Sequence, residues 1–407
     1  MQINTLYNEN CLVTMKRMDD NSIDSIVTDP PYGIRFMNKK WDYDIPSVDI
    51  WKECLRVLKP CGHLLSFAGT RTQHRMVTNI EDAGFEIRDM IAYVYASGFP
   101  KSLNISKAID KQLGAKRKVV GVAGKSGSKR NCMMSDFKGG TYMTTLPSTD
   151  EAIQFEKFGT ALKPSLEPIT LARKPLSEQT IASNVLKWGT GGINIDGCRV
   201  PYTKDNPPIP QLAQNKINVD SKKTMYDGQS FNKSVTKAII GGSLDGRFPA
   251  NLIHDGSDEV KNMFPDTKSG KVINDKTAYN NSKSNTSFIK GETNQFNQYG
   301  DNGNASRFFY CAKPSKKERG KNNTHPTVKP IALMKYLVTL VTPPNGIVYD
   351  PFMGSGSTLI ACKLLDFDYI GSELDKSSCD IANERLISNE DIIKKEKEDK
   401  INNLFNF

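Results

Sequence analysis

The chain has 407 residues, enough for two or three domains and for a core that needs no disulfide or metal staple. With 38% hydrophobic and 25% charged residues it has a globular composition, and neither an apolar run of about 18 residues nor a basic-then-apolar start is present, so no membrane span or secretory signal is expected. The net charge of +10 is concentrated: residues 101–320 hold 34 basic against 20 acidic side chains, while 1–100 and 321–407 each carry −2.

In chain order, Ile23, Ile26 and Val27 read as a short strand ending at Asp29. A helical pattern follows at Trp51, Cys54, Leu55 and Leu58, and Pro60 and Gly62 stop it. His63 to Phe67 reads as a strand, Arg71 to Ala83 as a helix ended by Gly84, and Ile91 to Tyr95 as a further strand. This alternation is an α/β rhythm. Segments 101–150 and 201–305 are rich in Gly, Ser, Asn and Lys and read as loops. Between them Leu166 to Ala172 is a compact apolar run, expected to be a strand returning to the sheet. Trp188 to Gly197 is glycine-rich but follows no clear strand, which favours a structural turn over a phosphate loop.

The rhythm resumes at Pro330, which opens a helix with an apolar face of Leu333, Met334, Leu337, Val338 and Val341, closed by Pro343, Pro344 and Gly346. Ile347 to Tyr349 is a strand, Asp350 to Gly356 a glycine turn, Ser357 to Leu365 a helix and Asp368 to Ser372 a strand, together a βαβ unit. A helix runs on from Asp375, and Lys394 to Lys400 reads as a solvated face. The basic middle set between near-neutral ends points to a segment that binds a polyanion, with a merely lysine-rich soluble surface as the alternative. Eight scattered cysteines without a CxxC pair read as reduced thiols, and the four histidines show no metal-ligand spacing.

Two motifs carry chemistry. Asp29-Pro30-Pro31-Tyr32 lies at the C-terminal end of an expected strand, where open α/β sheets bind ligands. The prolines fix the backbone and leave the Pro30 carbonyl as an acceptor. Asp29 supplies a second acceptor and Tyr32 an aromatic face, a set that matches an exocyclic amino group on a planar base. The second motif, Asp350 to Thr358, combines Gly354 and Gly356 with Glu373 about 20 residues on, the spacing at which an acid meets ribose hydroxyls. The third glycine of a dinucleotide fingerprint is missing, which disfavours a pyrophosphate cofactor and an NAD-dependent oxidoreductase.

Together these motifs resemble those of the DNA amino-methyltransferases that use S-adenosylmethionine, in particular the β-group, in which the catalytic tetrapeptide precedes the recognition region and the glycine loop comes last. His325-Pro326-Thr327-Val328-Lys329-Pro330 is similar to the family motif just upstream of the loop. The likeness covers roughly 1–100 and 305–390. It implies a Rossmann-like fold, a mainly parallel twisted sheet flanked by helices, with a loop-rich target-recognition region inserted. Residues 1–100 and 311–407 would form the catalytic and cofactor halves of one domain, and 101–310 the recognition region, with about 160–176 returning to the sheet.

The resemblance implies methyl transfer to a flipped base, with Asp29, Pro30, Pro31 and Tyr32 at the catalytic centre and S-adenosylhomocysteine as the second product. Asn10, Thr327, Lys329, Asp350, Phe352, Gly354, Ser355, Gly356, Ser357, Thr358 and Glu373 would bind the cofactor, Thr327 and Lys329 near its methionine end. No metal is required. Glu9-Asn10 stands where the family usually has Gly-Asp, so Asn10 would meet the cofactor's adenine without charge. Adenine N6 is the expected target, because Asp at the first tetrapeptide position accompanies adenine more often in this family. Cytosine N4, an RNA substrate and an inert DNA-binding module that kept the fold stay open. The expected partner is double-stranded DNA, and the expected location the cytoplasm, for a prokaryotic or phage-encoded protein, with a homodimer and a cognate restriction nuclease left open.

Overall fold

The computed structural model describes residues 1–34, 42–98, 102–125, 141–202, 246–268, 302–312 and 328–388. The first part runs β1 (Thr5–Tyr7), α1 (Cys11–Met15), β2 (Ile23–Thr28), α2 (Val48–Val57), β3 (Leu58–Phe67), α3 (Gln73–Asp82) and β4 (Glu86–Val94). The middle contributes α4 (Ile105–Gln112), β5 (Lys118–Lys125), β6 (Thr141–Leu146), α5 (Asp150–Gln154), β7 (Leu166–Arg173), α6 (Ile181–Trp188), β8 (Leu252–His254), α7 (Asp258–Lys261), β9 (Asp266–Lys268), β10 (Asn302–Asn304) and β11 (Tyr310–Cys311). The last part is α8 (Ile331–Val341), β12 (Ile347–Asp350), α9 (Ser357–Leu365), β13 (Asp368–Ser372) and α10 (Lys376–Ser388).

Among the described residues one nine-stranded sheet has the order β1-β13-β12-β2-β3-β7-β4-β8-β11. Every pairing in it is parallel except those of β7, which lies antiparallel between β3 and β4. Both faces are covered, as a parallel sheet requires. Alternation along the strands sends Val27, Leu65, Phe67 and Ile169 into a core with α8 and α9, and Ile26, Leu64 and Ala172 into one with α1, α2 and α3 around Trp51 and Met76. Truncating one of these side chains, Leu65→Ala for example, would cost roughly 2–5 kcal/mol through the cavity left behind.

The apolar run 166–172 does return to the sheet. The helix over 51–58 ends where Pro60 and Gly62 require, but β3 begins at once and contains both residues. The β2–β3 register jumps from Ile23↔Leu58 to Ser25↔His63, so the extra residues bulge where the missing Pro60 N–H is not needed.

The loop reading of 101–150 and 201–305 needs correction. The first segment contains α4 and the β5–β6 hairpin, tied to the start of α5 by a buried carboxylate. Asp110 accepts from Arg117 Nη1 (2.5 Å), Thr149 Oγ1 (2.8 Å) and the backbone N–H groups of Ser148 and Thr149 (both 3.1 Å). α4 does carry helical spacing at Ile105, Ala108, Ile109 and Leu113, hidden in the sequence by the basic, glycine-rich stretch around it. In the second segment Leu252–His254 adds a strand beside β4, too short for a pattern search to register. Lys394 to Lys400 lies outside the described residues.

Candidate active site

Parallel order brings the C-terminal ends of β13, β12, β2, β3 and β4 to one edge of the sheet. Glu373, Asp350, Asp29, Phe67 and Tyr95 therefore stand at or just beyond those ends. β7 runs the other way, so its beginning lies here: Glu167 is in register with Tyr93. The backbone turn after β2 is held at several points. Asp42, buried at 1% exposure, accepts from the N–H groups of Tyr32 (2.7 Å) and Gly33 (2.9 Å), while Thr72 Oγ1 donates to the Tyr32 carbonyl (2.6 Å). A Cβ at Gly69 would approach the Tyr32 ring at 3.1 Å, so any side chain there would press on the ring.

The polar centre of the edge is Asp29. Its Oδ1 accepts from the Tyr32 hydroxyl at 2.7 Å and its Oδ2 from Lys329 Nζ at 2.7 Å. The buried Lys329 ammonium also donates to Tyr32 Oη (3.1 Å), lies 3.3 Å from Glu167 Oε2 and sits 4.8 Å from the centre of the Phe67 ring. Tyr95 Oη donates weakly to Glu167 Oε1 at 3.4 Å. Burial would release the Lys329 proton, but Asp29 and Glu167 outweigh it and hold the ammonium above its ordinary range. Burial, then Asp29 and Glu167, push the Tyr32 phenol well up, and burial with Glu167 raises Tyr95 to about 12. Both phenols are neutral donors at physiological pH.

The second half of the edge follows β12. Asp350, 2% exposed, accepts from Thr28 Oγ1 (2.6 Å), Thr358 Oγ1 (2.6 Å) and the Phe352 N–H (3.1 Å). Burial raises its carboxyl to about 7 despite these donors. Thr28 immediately precedes Asp29, so the tetrapeptide and the glycine loop are joined by one hydrogen bond. Gly356 has φ +77°, and a Cβ there would stand 3.0 Å from the Ala382 Cβ, so α10 can pack against the loop only because the position is glycine. Arg385 from α10 donates to the Ser355 carbonyl and to the Ser355 (3.0 Å) and Ser357 (3.3 Å) hydroxyls. Glu373 receives the Gly354 N–H on Oε2 (2.9 Å) and the Asp375 N–H on Oε1 (2.8 Å). Burial raises its carboxyl.

The structure thus brings together Asp29, Tyr32, Lys329, Asp350, the loop 352–358 and Glu373. Asp350, Ser355, Ser357 and Thr358 spend their side chains on internal bonds and shape the loop. The side-chain partners of Lys329 are Asp29, Tyr32 and Glu167, which puts it beside the tetrapeptide Asp29–Tyr32. Asn10 caps α1, accepting from the Leu12 N–H at 2.9 Å. Thr327 and His325 lie outside the described residues. Sequence reading missed Glu167 and Tyr95, although Glu167-Pro168 opening an apolar run was a visible signal. Among the described residues no His, Cys, Asp or Glu cluster could hold a metal, and no helix is long and apolar enough to cross a membrane.

A nucleoside-bearing donor fits this loop. Each Glu373 oxygen accepts one backbone N–H and keeps a lone pair for a ribose hydroxyl, and Gly354, at φ +50°, lets the backbone turn close to a ligand.

A family profile described as DNA methylase matches residues 23–384. The type II methyltransferase M.HindIII of Haemophilus influenzae is 48% identical over 62 residues, 15% of this chain and 20% of that protein. The orphan methyltransferase M.BamHII of Bacillus amyloliquefaciens is 45% identical over 62 residues, 15% of this chain and 23% of the relative. The match spans about a fifth of the length of these curated relatives. Among solved structures, the M1.HpyAVI–SAM complex aligns over 94% of this chain and 98% of its own, with 16% identity and a TM-score of 0.40. The cytosine-N4-specific PvuII DNA methyltransferase aligns over 98% and 91%, with 12% identity and a TM-score of 0.42. At that level of likeness neither structure bears on the chemistry.

Proposed function

The chain belongs to the DNA methylase family, and from that premise we propose that it transfers a methyl group from S-adenosylmethionine to the exocyclic amino group of a base in DNA, adenine N6. The observation that carries the reading is the adjacency of β2 and β12, which sets Asp29 beside the glycine loop through the Thr28–Asp350 hydrogen bond of 2.6 Å.

When bound, S-adenosylmethionine supplies an electrophilic methyl carbon whose bonding pair stays with sulfur, leaving S-adenosylhomocysteine. Glu373 would hold the ribose hydroxyls, and Phe352 and the backbone at Gly354 and Gly356 would line the donor. Asp29 and the Pro30 carbonyl accept the two N–H bonds of the target amino group, with Pro31 fixing the turn and Tyr32 stacking under the base. This draws the nitrogen lone pair out of conjugation and toward the methyl carbon. As the new C–N bond forms the nitrogen becomes cationic, and Asp29 receives the proton it sheds. Catalysis is mostly positioning, so no covalent enzyme intermediate or metal enters. The base must leave the duplex, at a cost of a few kcal/mol that stacking and the two acceptor contacts offset.

In this reading residues 1–100 and 311–407 are the two halves of the methyltransferase domain and 101–310 the recognition region, apart from β7 and β8, which join the main sheet. Exposed Lys107 and Lys111, one turn apart on α4, line a surface groove with Asn104 and Gln112. They neutralise phosphates of double-stranded DNA, which makes binding fall steeply with salt. The seven described cysteines form no disulfide, which fits a reducing cytoplasm.

Incubation with genomic DNA and isotope-labelled donor, followed by nucleoside mass spectrometry, tests the reading. Labelled N6-methyladenine is expected. N4-methylcytosine would overturn the base assignment, and absence of label the activity itself.

A further inference from the structure

The proposed reaction uses one of the three charged side chains clustered at the catalytic edge. Lys329 lies between two carboxylates, 2.7 Å from Asp29 and 3.3 Å from Glu167. Its third contact, the Tyr32 hydroxyl at 3.1 Å, occupies the remaining N–H, so the ammonium is held on three sides. Both carboxylate side chains are 21% exposed and the lysine side chain 9%, so water screens the group only partly.

Counting charge explains why a second carboxylate is needed. With Asp29 alone, Lys329 would form a neutral pair and cancel the negative charge facing the target nitrogen. With Glu167 the trio carries a net −1. Methyl transfer to a neutral amine moves positive charge onto that nitrogen, and a prearranged anionic cluster in a low-dielectric site favours this where a neutral pair does not. Glu167 reaches the edge only because β7 runs against its neighbours, which brings the second residue of the strand level with the last residues of the others.

We propose that Glu167 is a positioning residue for methyl transfer: by sharing Lys329 with Asp29 it keeps the cluster at net −1 and holds Asp29 on the target nitrogen. This role rests on the methyltransferase reading above. Glu167 itself makes no contact with the reacting atoms; it acts through Lys329.

The test compares the full-length wild type with Glu167→Gln, Glu167→Asp, Lys329→Met and the double variant E167Q/K329M. Labelled methyl transfer to DNA and melting temperature are measured on each. E167Q is expected to lower kcat by about 30-fold, below the loss seen when a direct electrostatic partner is removed, with KM for donor and DNA changed less than about twofold. E167D, which keeps the charge, should recover most of the rate. K329M leaves two carboxylates facing each other, so E167Q/K329M should melt higher than K329M by about 3 °C, a readout independent of activity. Wild-type kcat in E167Q, a loss shared equally between kcat and KM, or equal melting of K329M and the double variant would overturn the role. An inactive wild type would overturn the methyltransferase reading and this role with it, whereas an active wild type beside an unimpaired E167Q would overturn the role alone.

Discussion

Two Asp-Pro dipeptides, Asp29-Pro30 and Asp350-Pro351, follow adjacent parallel strands and face the same edge of the sheet, yet their carboxylates are put to opposite uses. The β12–β2 register pairs Tyr349 with Ile26, which puts Asp350 level with Val27 and leaves Asp29 two residues further out. Asp29 keeps partial exposure and a lysine on one oxygen. Asp350 is enclosed by two hydroxyls and a backbone N–H, with no ion pair to it among the described residues, and burial raises its carboxyl to about 7. The same dipeptide thus becomes a charged acceptor or a structural clasp according to register and neighbours, and the clasp holds the acceptor in place through Thr28.

If this contrast is right, Asp29→Ala should give the largest effect, a loss of methyl transfer of about 10³-fold with donor affinity in a calorimetric titration unchanged within about twofold. Parallel loss of affinity would make Asp29 a second clasp. Asp350→Ala should instead act on the fold, leaving three donors without their acceptor and costing about 2–4 kcal/mol in denaturant unfolding. Its charge also predicts a pH dependence. The folded carboxyl titrates near 7 and the unfolded one near 3.9, so between these values the folded state binds more protons. Asp350 therefore makes the protein lose stability as pH rises from about 4 to 7, with a plateau above. The melting temperature of wild type minus that of Asp350→Asn should fall between pH 5 and 8, and a rise would refute the buried neutral acid.

Smaller effects sharpen the picture. Glu373→Ala removes the acceptor of the neighbouring strand end and should weaken donor binding about 10- to 30-fold, the value of one hydrogen bond to a charged group; unchanged affinity would remove its ribose assignment. Thr28→Val breaks the link between the two dipeptides and should cost about 1 kcal/mol, with a matching small drop in methylation rate. A rate loss as large as that of Asp29→Ala would mean that Thr28 itself takes part in the chemistry.

Much of this was legible in the chain. Pro330, Gly354 and Gly356 mark turns by their own backbone chemistry, and the runs 347–349, 357–365 and 368–372 are close to the observed elements because a buried parallel strand and a buried helix each carry a strong local pattern. Asp29, Tyr32, Asp350 and Glu373 stand out in the sequence because ligand sites in such sheets follow strand ends, and the structure brings all four to one edge. The same rule missed Glu167, since it looks where strands finish and β7 delivers its start. The resemblance alone suggests a place near the cofactor for Lys329, and no local sign shows that its charge meets a carboxylate 300 positions away.

The amino-acid sequence by itself determined where the strongly patterned segments at the two ends of the chain turn, coil or extend, and which side chains can accept an N–H bond. Those properties depend on interactions over a few residues. Tertiary structure alone decided that β7 is reversed, that Lys329 sits between Asp29 and Glu167, and that one Asp-Pro carboxylate is kept charged while its twin is buried. Strand order, direction and register come from packing two hydrophobic faces against helices, and electrostatic environment depends on what that packing brings near.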